Sequence, residues 1–188
     1  MEIDTSYMRF DTPQVGYSPY HQIHLHSTGN TNSNAQGEAS YMQRKDLNRG
    51  FYTHVVGNGK VYKTAEVNRG AWDVGGDWNY ETIAAIELIE SHATKDEFMA
   101  DYRLYVELAR EIGQKYGIEF SLDTPATSGF KTHNYASATG HGSDHVDPLP
   151  YLAKWGITFD QLKHDLLNGF GGTTSSRQPA AFLGKKRG

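Results

Sequence analysis

Alternating and periodic apolar residues divide this chain into predicted strands and helices. Residues 21–26 alternate apolar and polar side chains, which predicts a half-buried strand. Residues 83–89 are apolar except for Glu87, which predicts a buried central strand that carries one carboxylate. Residues 51–56 and 60–63 predict a hairpin, because the Asn-Gly turn between them tolerates a positive φ.

Three further segments have the apolar spacing of helices. Thr94 and Glu97 have the spacing of a capping box, and the apolar stripe behind them predicts the longest helix, which ends at Gly117. A second capping-box pattern predicts a C-terminal helix over 158–167, and residues 35–47 predict another. Strands interleaved with helices in this way indicate an α/β fold.

The composition indicates one domain followed by a short tail. The chain has 188 residues, and we assign 1–170 to the domain and the Gly/Ser/Thr-rich residues 171–188 to a flexible linker toward a further C-terminal module. The absence of cysteine excludes a disulfide framework, a thiolate metal site and a cysteine nucleophile. The formal net charge of −4 gives no overall basic field for nucleic acid or anionic lipid.

Five of the nine histidines fall in two separate segments of the chain. These five are His24, His26, His133, His141 and His145. A metal ion needs ligands from different parts of a fold, and imidazoles together with the carboxylate of Asp147 would suit Zn²⁺. The alternatives are surface histidines on a polar strand face or in a polar loop. Asp147 also has a second interpretation, as the N-cap of a helix with Pro148 at its first position.

Glu87 is the third candidate functional group. A carboxylate in an otherwise apolar strand must be paired, protonated or functional, because burying it alone is costly. The alternative is an edge position at which the acid reaches solvent. The apolar residues on both sides of Glu87 favour the buried interpretation.

Four segments resemble the type 2 N-acetylmuramoyl-L-alanine amidases, zinc enzymes that include many phage endolysins and are related to the peptidoglycan recognition proteins of animals. In order along the chain they are 23–30, 53–62, 82–88 and 145–148, and the second is followed by Ala71-Trp72. The resemblance covers about residues 20–168. It implies a central mixed β-sheet flanked by helices, which agrees with the predicted elements.

The resemblance also implies roles for individual residues. It places the zinc ion on His26, His133 and Asp147, with His141 as the alternative to His133. His133 is preferred because the family spacing is usually longer than the six positions from His141 to Asp147. It makes Glu87 the general base. By the same resemblance, His145 polarises the scissile carbonyl, and the groove that holds substrate includes Trp72, Tyr135, His141 and Thr53.

The implied activity is zinc-dependent hydrolysis of the amide bond between N-acetylmuramic acid and L-alanine in bacterial peptidoglycan, which lyses the cell wall. A zinc peptidase that cuts within the stem peptide or cross-bridge is one alternative, and a non-catalytic peptidoglycan-binding module is another. The N-terminus lacks the pattern of a signal peptide and no segment approaches transmembrane length. We therefore expect a phage endolysin made in the host cytoplasm, which acts on the wall after release through a separate pore-forming protein; a bacterial autolysin is the other origin.

Overall fold

The computed structural model describes residues 1–171 and has the α/β architecture that the sequence predicts. Five strands form one mixed sheet: β1 Gln22–Ser27, β2 His54–Gly57, β3 Lys60–Lys63, β4 Thr82–Leu88 and β5 Gly129–Thr132. The five α-helices of this part of the chain are α1 Ala35–Arg44, α2 Lys95–Tyr116, α3 His133–Ala138, α4 Leu149–Lys154 and α5 Phe159–Asn168. Except for Gly171, the predicted linker 171–188 lies outside the described residues.

The sheet has the strand order β3-β2-β4-β1-β5. β1 runs parallel to β4 and β5, and β2 runs parallel to β4, so only the β2–β3 hairpin is antiparallel. One core lies between the sheet and α2 with α5, and a second core lies between the sheet and α1. The prediction of a mixed central sheet flanked by helices is confirmed.

The longest helix begins and ends as its sequence predicts. Thr94 Oγ1 accepts a hydrogen bond from the backbone N–H of Glu97, and the Glu97 carboxylate accepts one from the backbone of Thr94, so the capping box is complete. The helix ends at Gly117, which has the left-handed φ of 66° that glycine tolerates best. The apolar face of α2 is buried on the sheet, including Phe98 and Tyr105.

The structure differs from three details of the prediction: the burial of one strand, the end of one helix and the N-cap of another. The strand predicted over 21–26 is buried on both faces, because β1 lies between two parallel neighbours and beneath helices. The helix predicted over 35–47 ends at Arg44, and Asp46 instead caps a short 3₁₀ helix, Leu47–Arg49. The N-cap of α4 is Pro148, and the Asp147 side chain points toward two histidines.

The strand order places the candidate chemistry at one edge of the sheet. His26 is the fifth residue of β1, and it pairs in register with Glu87 near the end of β4. His133 directly follows β5. Since these three strands are parallel, their carboxyl ends meet, which is where α/β proteins commonly bind ligands. Within residues 1–171, no helix is long and apolar enough to cross a membrane.

Candidate metal centre

Two imidazoles and one carboxylate converge at the carboxyl ends of β1 and β5. His26 Nδ1 lies 3.2 Å from Asp147 Oδ2, and His133 Nδ1 lies 3.2 Å from Asp147 Oδ1. Two ligand atoms on a tetrahedral zinc ion, each about 2.0–2.1 Å from the metal, lie about 3.3 Å apart. The structure therefore brings His26, His133 and Asp147 together at a spacing that suits one metal ion.

The far nitrogen of each of these two imidazoles has its own hydrogen-bond acceptor. His133 Nε2 lies 3.1 Å from the backbone oxygen of Val74, which can only accept, so this nitrogen carries the proton. His26 Nε2 lies 3.1 Å from Asp73 Oδ2. Because Nε2 of each ring is engaged in this way, Nδ1 is the nitrogen left to bind a metal ion beside Asp147, which is the arrangement that metal-binding histidines adopt.

Asp73 is a functional candidate that the sequence analysis missed. Its side chain is only 2% exposed, and Oδ2 lies 2.6 Å from His24 Nδ1 as well as near His26. Its other oxygen accepts a hydrogen bond of 2.9 Å from the Thr82 hydroxyl. The one available signal was an isolated acid in the glycine-rich segment 70–76, directly after Trp72.

The Glu87 carboxylate faces the same cavity as the metal-binding group. Its Oε2 is buried and has no hydrogen-bond partner within residues 1–171. Burial raises the pKa of Glu87 to about 8, while the positive charge of His26 acts in the opposite direction. A solvent-shielded carboxylate with an unused acceptor atom is suited to take a proton.

The charges around His26 hold a proton at the centre when no metal is bound. Burial disfavours the imidazolium form, but the hydrogen bonds to Asp147 and Asp73 outweigh it and raise the pKa of His26 well above its ordinary value. Burial likewise raises the pKa of Asp147, but His133 and His26 outweigh it and bring the value below the ordinary one. Metal binding at this centre must therefore displace a proton.

Three adjoining cavities form a groove across the centre. The middle cavity, of about 210 Å³, contains the metal-binding group and Glu87. A cavity of about 550 Å³ on one side includes Glu90 and Asp144. A cavity of about 610 Å³ on the other side includes Trp72, which also lines the middle one. His145 lines all three, so it stands where the arms of the groove meet.

His145 is accessible from the groove. Its side chain is 67% exposed, its ring centre lies 4.8 Å from that of His133, and its Nδ1 lies 3.8 Å from Asp147 Oδ1. The distance to Asp147 is too long for a hydrogen bond. The imidazole is therefore free to face a bound molecule at the rim of the metal-binding group.

Three residues assigned to the substrate groove from sequence, Thr53, Tyr135 and His141, are not among those that line these three cavities. Thr53 is fully buried, and its hydroxyl donates a 2.9 Å hydrogen bond to the Ala85 oxygen, so the structure places it in the core of the sheet. The His141 ring stacks 4.4 Å from that of Trp78, and Tyr135 packs against the same indole. The residues that the structure brings to Asp147 are His26 and His133, and His141 is not among them.

Comparison with known proteins identifies relatives across most of the chain. Residues 16–150 match the family described as N-acetylmuramoyl-L-alanine amidase. A lytic amidase of Streptococcus pneumoniae phage HB-3 is 54% identical over 176 residues, covering 93% of this chain and 55% of that protein. An endolysin of Listeria phage A511 is 36% identical over 160 residues, covering 82% of this chain and 46% of that protein. The chain thus spans about half the length of these two relatives.

Solved structures agree with the assignment. The Staphylococcus aureus hydrolase AmiA, solved with its ligand, superposes with a TM-score of 0.78 at 26% identity, covering 90% of this chain and 82% of that one. The PlyG catalytic domain superposes with a TM-score of 0.65 at 20% identity, covering 93% and 99%, and supports the fold alone. From the family match, the relatives and the shared fold, this chain belongs to the N-acetylmuramoyl-L-alanine amidase family.

Proposed function

We propose that this domain hydrolyses the amide bond between the lactyl group of N-acetylmuramic acid and L-alanine in bacterial peptidoglycan, with zinc as cofactor. The observation that carries the proposal is the cavity that His26, His133 and Asp147 share with Glu87, whose Oε2 has no hydrogen-bond partner among residues 1–171. The phage relatives, one a lytic amidase and one an endolysin, support a lytic role at the cell wall. We further propose that the protein reaches the wall through a pore made by another protein.

The donor set fits zinc better than a harder cation. Two imidazole nitrogens and one carboxylate oxygen are the ligand types of open zinc sites, whereas magnesium and calcium prefer oxygen ligands alone. The chemistry that zinc supplies in such sites is to polarise a carbonyl and to make a water molecule more acidic. The remaining steps fall to side chains of this chain.

Glu87 is the proposed general base. Its buried Oε2 would accept a proton from the attacking water and then deliver it to the nitrogen of the departing L-alanine. The ordinary pKa of a glutamate is too low for the return step, and burial raises that of Glu87 to about 8. A nearby dication would bring this value down again, toward the neutral range in which both transfers are efficient.

His145 is the proposed partner of the carbonyl oxygen. Charge develops on that oxygen as water attacks, and a donor fixed nearby stabilises it. The exposed imidazole at the junction of the groove arms can reach such an oxygen, and Trp72 offers an apolar surface for the substrate beside it. Tyr135 and His141 pack on Trp78 and are not part of the metal-binding group, so their proposed role is limited to contact with the polymer.

Replacing His145 with alanine should slow wall lysis by about a hundred- to a thousand-fold, because one oxyanion donor is lost. His145→Lys should retain more activity, since an ammonium group still presents positive charge. The measurement is the lysis rate per zinc-loaded molecule, and zinc content should stay normal in both variants because His145 is not among the ligands. Wild-type rates for His145→Ala would show that another group stabilises the oxygen.

The decisive test of the activity is product analysis of digested peptidoglycan. Amidase action should yield glycan with free lactyl carboxylates and peptides with a new L-alanine amine, as read by mass spectrometry. New amines inside the stem peptide or cross-bridge would favour a peptidase, and binding without products would favour a recognition module. Chelation should stop product release, and added Zn²⁺ should restore it, because the ligand set then regains its metal.

A further inference from the structure

We propose that Asp73 is a positioning residue that fixes the orientation and tautomer of the metal ligand His26, and that His24 acts through Asp73. This inference rests on the proposed zinc site. Asp73, with a side chain 2% exposed, lies between the two imidazoles, so that Gln22, His24, Asp73 and His26 form one chain of polar contacts under the centre.

The hydrogen bonds of Asp73 determine which nitrogen of His26 carries a proton. An ionised carboxylate can only accept, so His26 Nε2, at 3.1 Å, must donate to Asp73 Oδ2. In neutral His26, the form that can bind a metal, the lone pair is then confined to Nδ1, the atom on the side of Asp147. In the other tautomer, Nδ1 would carry a proton and could not bind a metal.

The residues behind Asp73 keep its carboxylate in place. His24 Nδ1 lies 2.6 Å from Oδ2, and the Thr82 hydroxyl donates to Oδ1 over 2.9 Å. The orientation of His24 is fixed in turn by Gln22, whose Oε1 lies 2.8 Å from His24 Nε2. The amide group of Gln22 is itself oriented, because its Nε2 donates 2.9 Å to the backbone oxygen of Thr127. Gln22 and Thr82 thus hold His24 and the Asp73 carboxylate in place behind His26.

The group formed by His24, His26 and Asp73 is less suited to a second metal. The 2.6 Å separation of His24 Nδ1 and Asp73 Oδ2 is a hydrogen-bond distance, shorter than the separation of about 3.3 Å between two ligands on tetrahedral zinc. His24 is also fully buried, whereas His145 and Glu87 open the other group to the groove. The geometry thus favours support of His26 over a site of its own.

The test measures zinc affinity by competition with a chromophoric chelator, in folded protein and independently of activity. Asp73→Asn should weaken zinc binding about ten- to a hundred-fold, the usual effect of removing a partner of a metal-binding histidine. Asp77→Asn is the matched control, since Asp77 Oδ1 also contacts an imidazole, His141 Nδ1 at 2.9 Å, but Asp77 belongs to neither group of potential metal ligands. It should bind zinc as the wild type does.

Two further readouts distinguish positioning from general destabilisation. His24→Gln should weaken zinc binding less than Asp73→Asn does. The double variant should bind zinc as tightly as Asp73→Asn alone, because His24 acts through Asp73. Ring ¹⁵N shifts of zinc-loaded wild type should identify Nδ1 of His26 as the bound nitrogen and Nε2 as protonated. If Asp73→Asn does not fold, His24→Gln and the ring shifts decide.

Three results would overturn the inference. The first is wild-type zinc affinity in folded Asp73→Asn or, where that variant fails to fold, in His24→Gln. The second is zinc bound to His26 through Nε2. The third is two zinc ions per wild-type chain, one of which is lost in His24→Gln. Failure of the proposed function itself is separable, since the wild type would then bind no zinc or release no lactyl product, whatever residue stands at position 73.

Discussion

His133→Ala is expected to lose both zinc and wall lysis, whereas His141→Ala should keep the metal and most of the activity. The structure brings His133 Nδ1 within 3.2 Å of Asp147, while the His141 ring is stacked on Trp78. With one of three protein ligands gone, the site keeps too few donors for a stable tetrahedral zinc complex. The measurements are zinc content by elemental analysis and lysis rate of purified walls.

Folding must be checked in both variants, because His133 is buried and also begins α3. His133→Asn keeps a polar side chain at this position and serves as a second variant. His164→Ala, at a surface position 62% exposed on α5, is the control for loss of a histidine as such. Retained zinc in His133→Ala together with loss in His141→Ala would reverse the ligand assignment.

The main elements were predictable because their local pattern and their tertiary role agree. The capping box of α2 and the apolar run of β4 are local signals that the fold preserves. β5 was missed because it has four residues, one of which is Lys131. This lysine is fully buried. Its burial is tolerated because its Nζ donates to the backbone oxygens of Thr124 and Ala126 and lies over two aromatic rings. A short strand that contains a lysine lacks the apolar pattern from which buried strands are predicted.

The candidate site was predictable only in part, and for a physical reason. His26, His133 and Asp147 could be proposed from motif resemblance, but it is the parallel pairing of β1 with β5 that brings the two histidines together, and the segment before α4 that adds Asp147. Asp73 has no motif, and its importance comes from the two imidazoles that fold around it. Thr53 was assigned to the groove by sequence position, yet it points into the core.

Glu87→Gln should leave zinc bound and reduce turnover by about a hundred- to ten-thousand-fold, because glutamine keeps the shape but cannot accept the proton. This corresponds to about 3–5 kcal/mol of transition-state stabilisation. The measurement is lysis rate per zinc-loaded molecule. Glu66→Gln is the matched control, since Glu66 is an exposed acid paired with Lys63 on the surface. Near-normal lysis by Glu87→Gln would mean that another group carries the proton.

The same variant distinguishes a functional acid from a structural one through stability. Burial raises the pKa of Glu87 from 4.5 to about 8, so the folded state of the zinc-free protein is disfavoured increasingly as the pH rises from 4.5 toward 8. Glutamine removes that penalty, because it has no charge to bury. Zinc-free Glu87→Gln should therefore melt at or above the wild-type temperature at pH 7.5, and this advantage should shrink as the pH falls toward 5. A lower melting temperature at pH 7.5 would indicate that the carboxylate stabilises the fold, and the burial of its Oε2 without a partner among residues 1–171 would then lose its catalytic explanation.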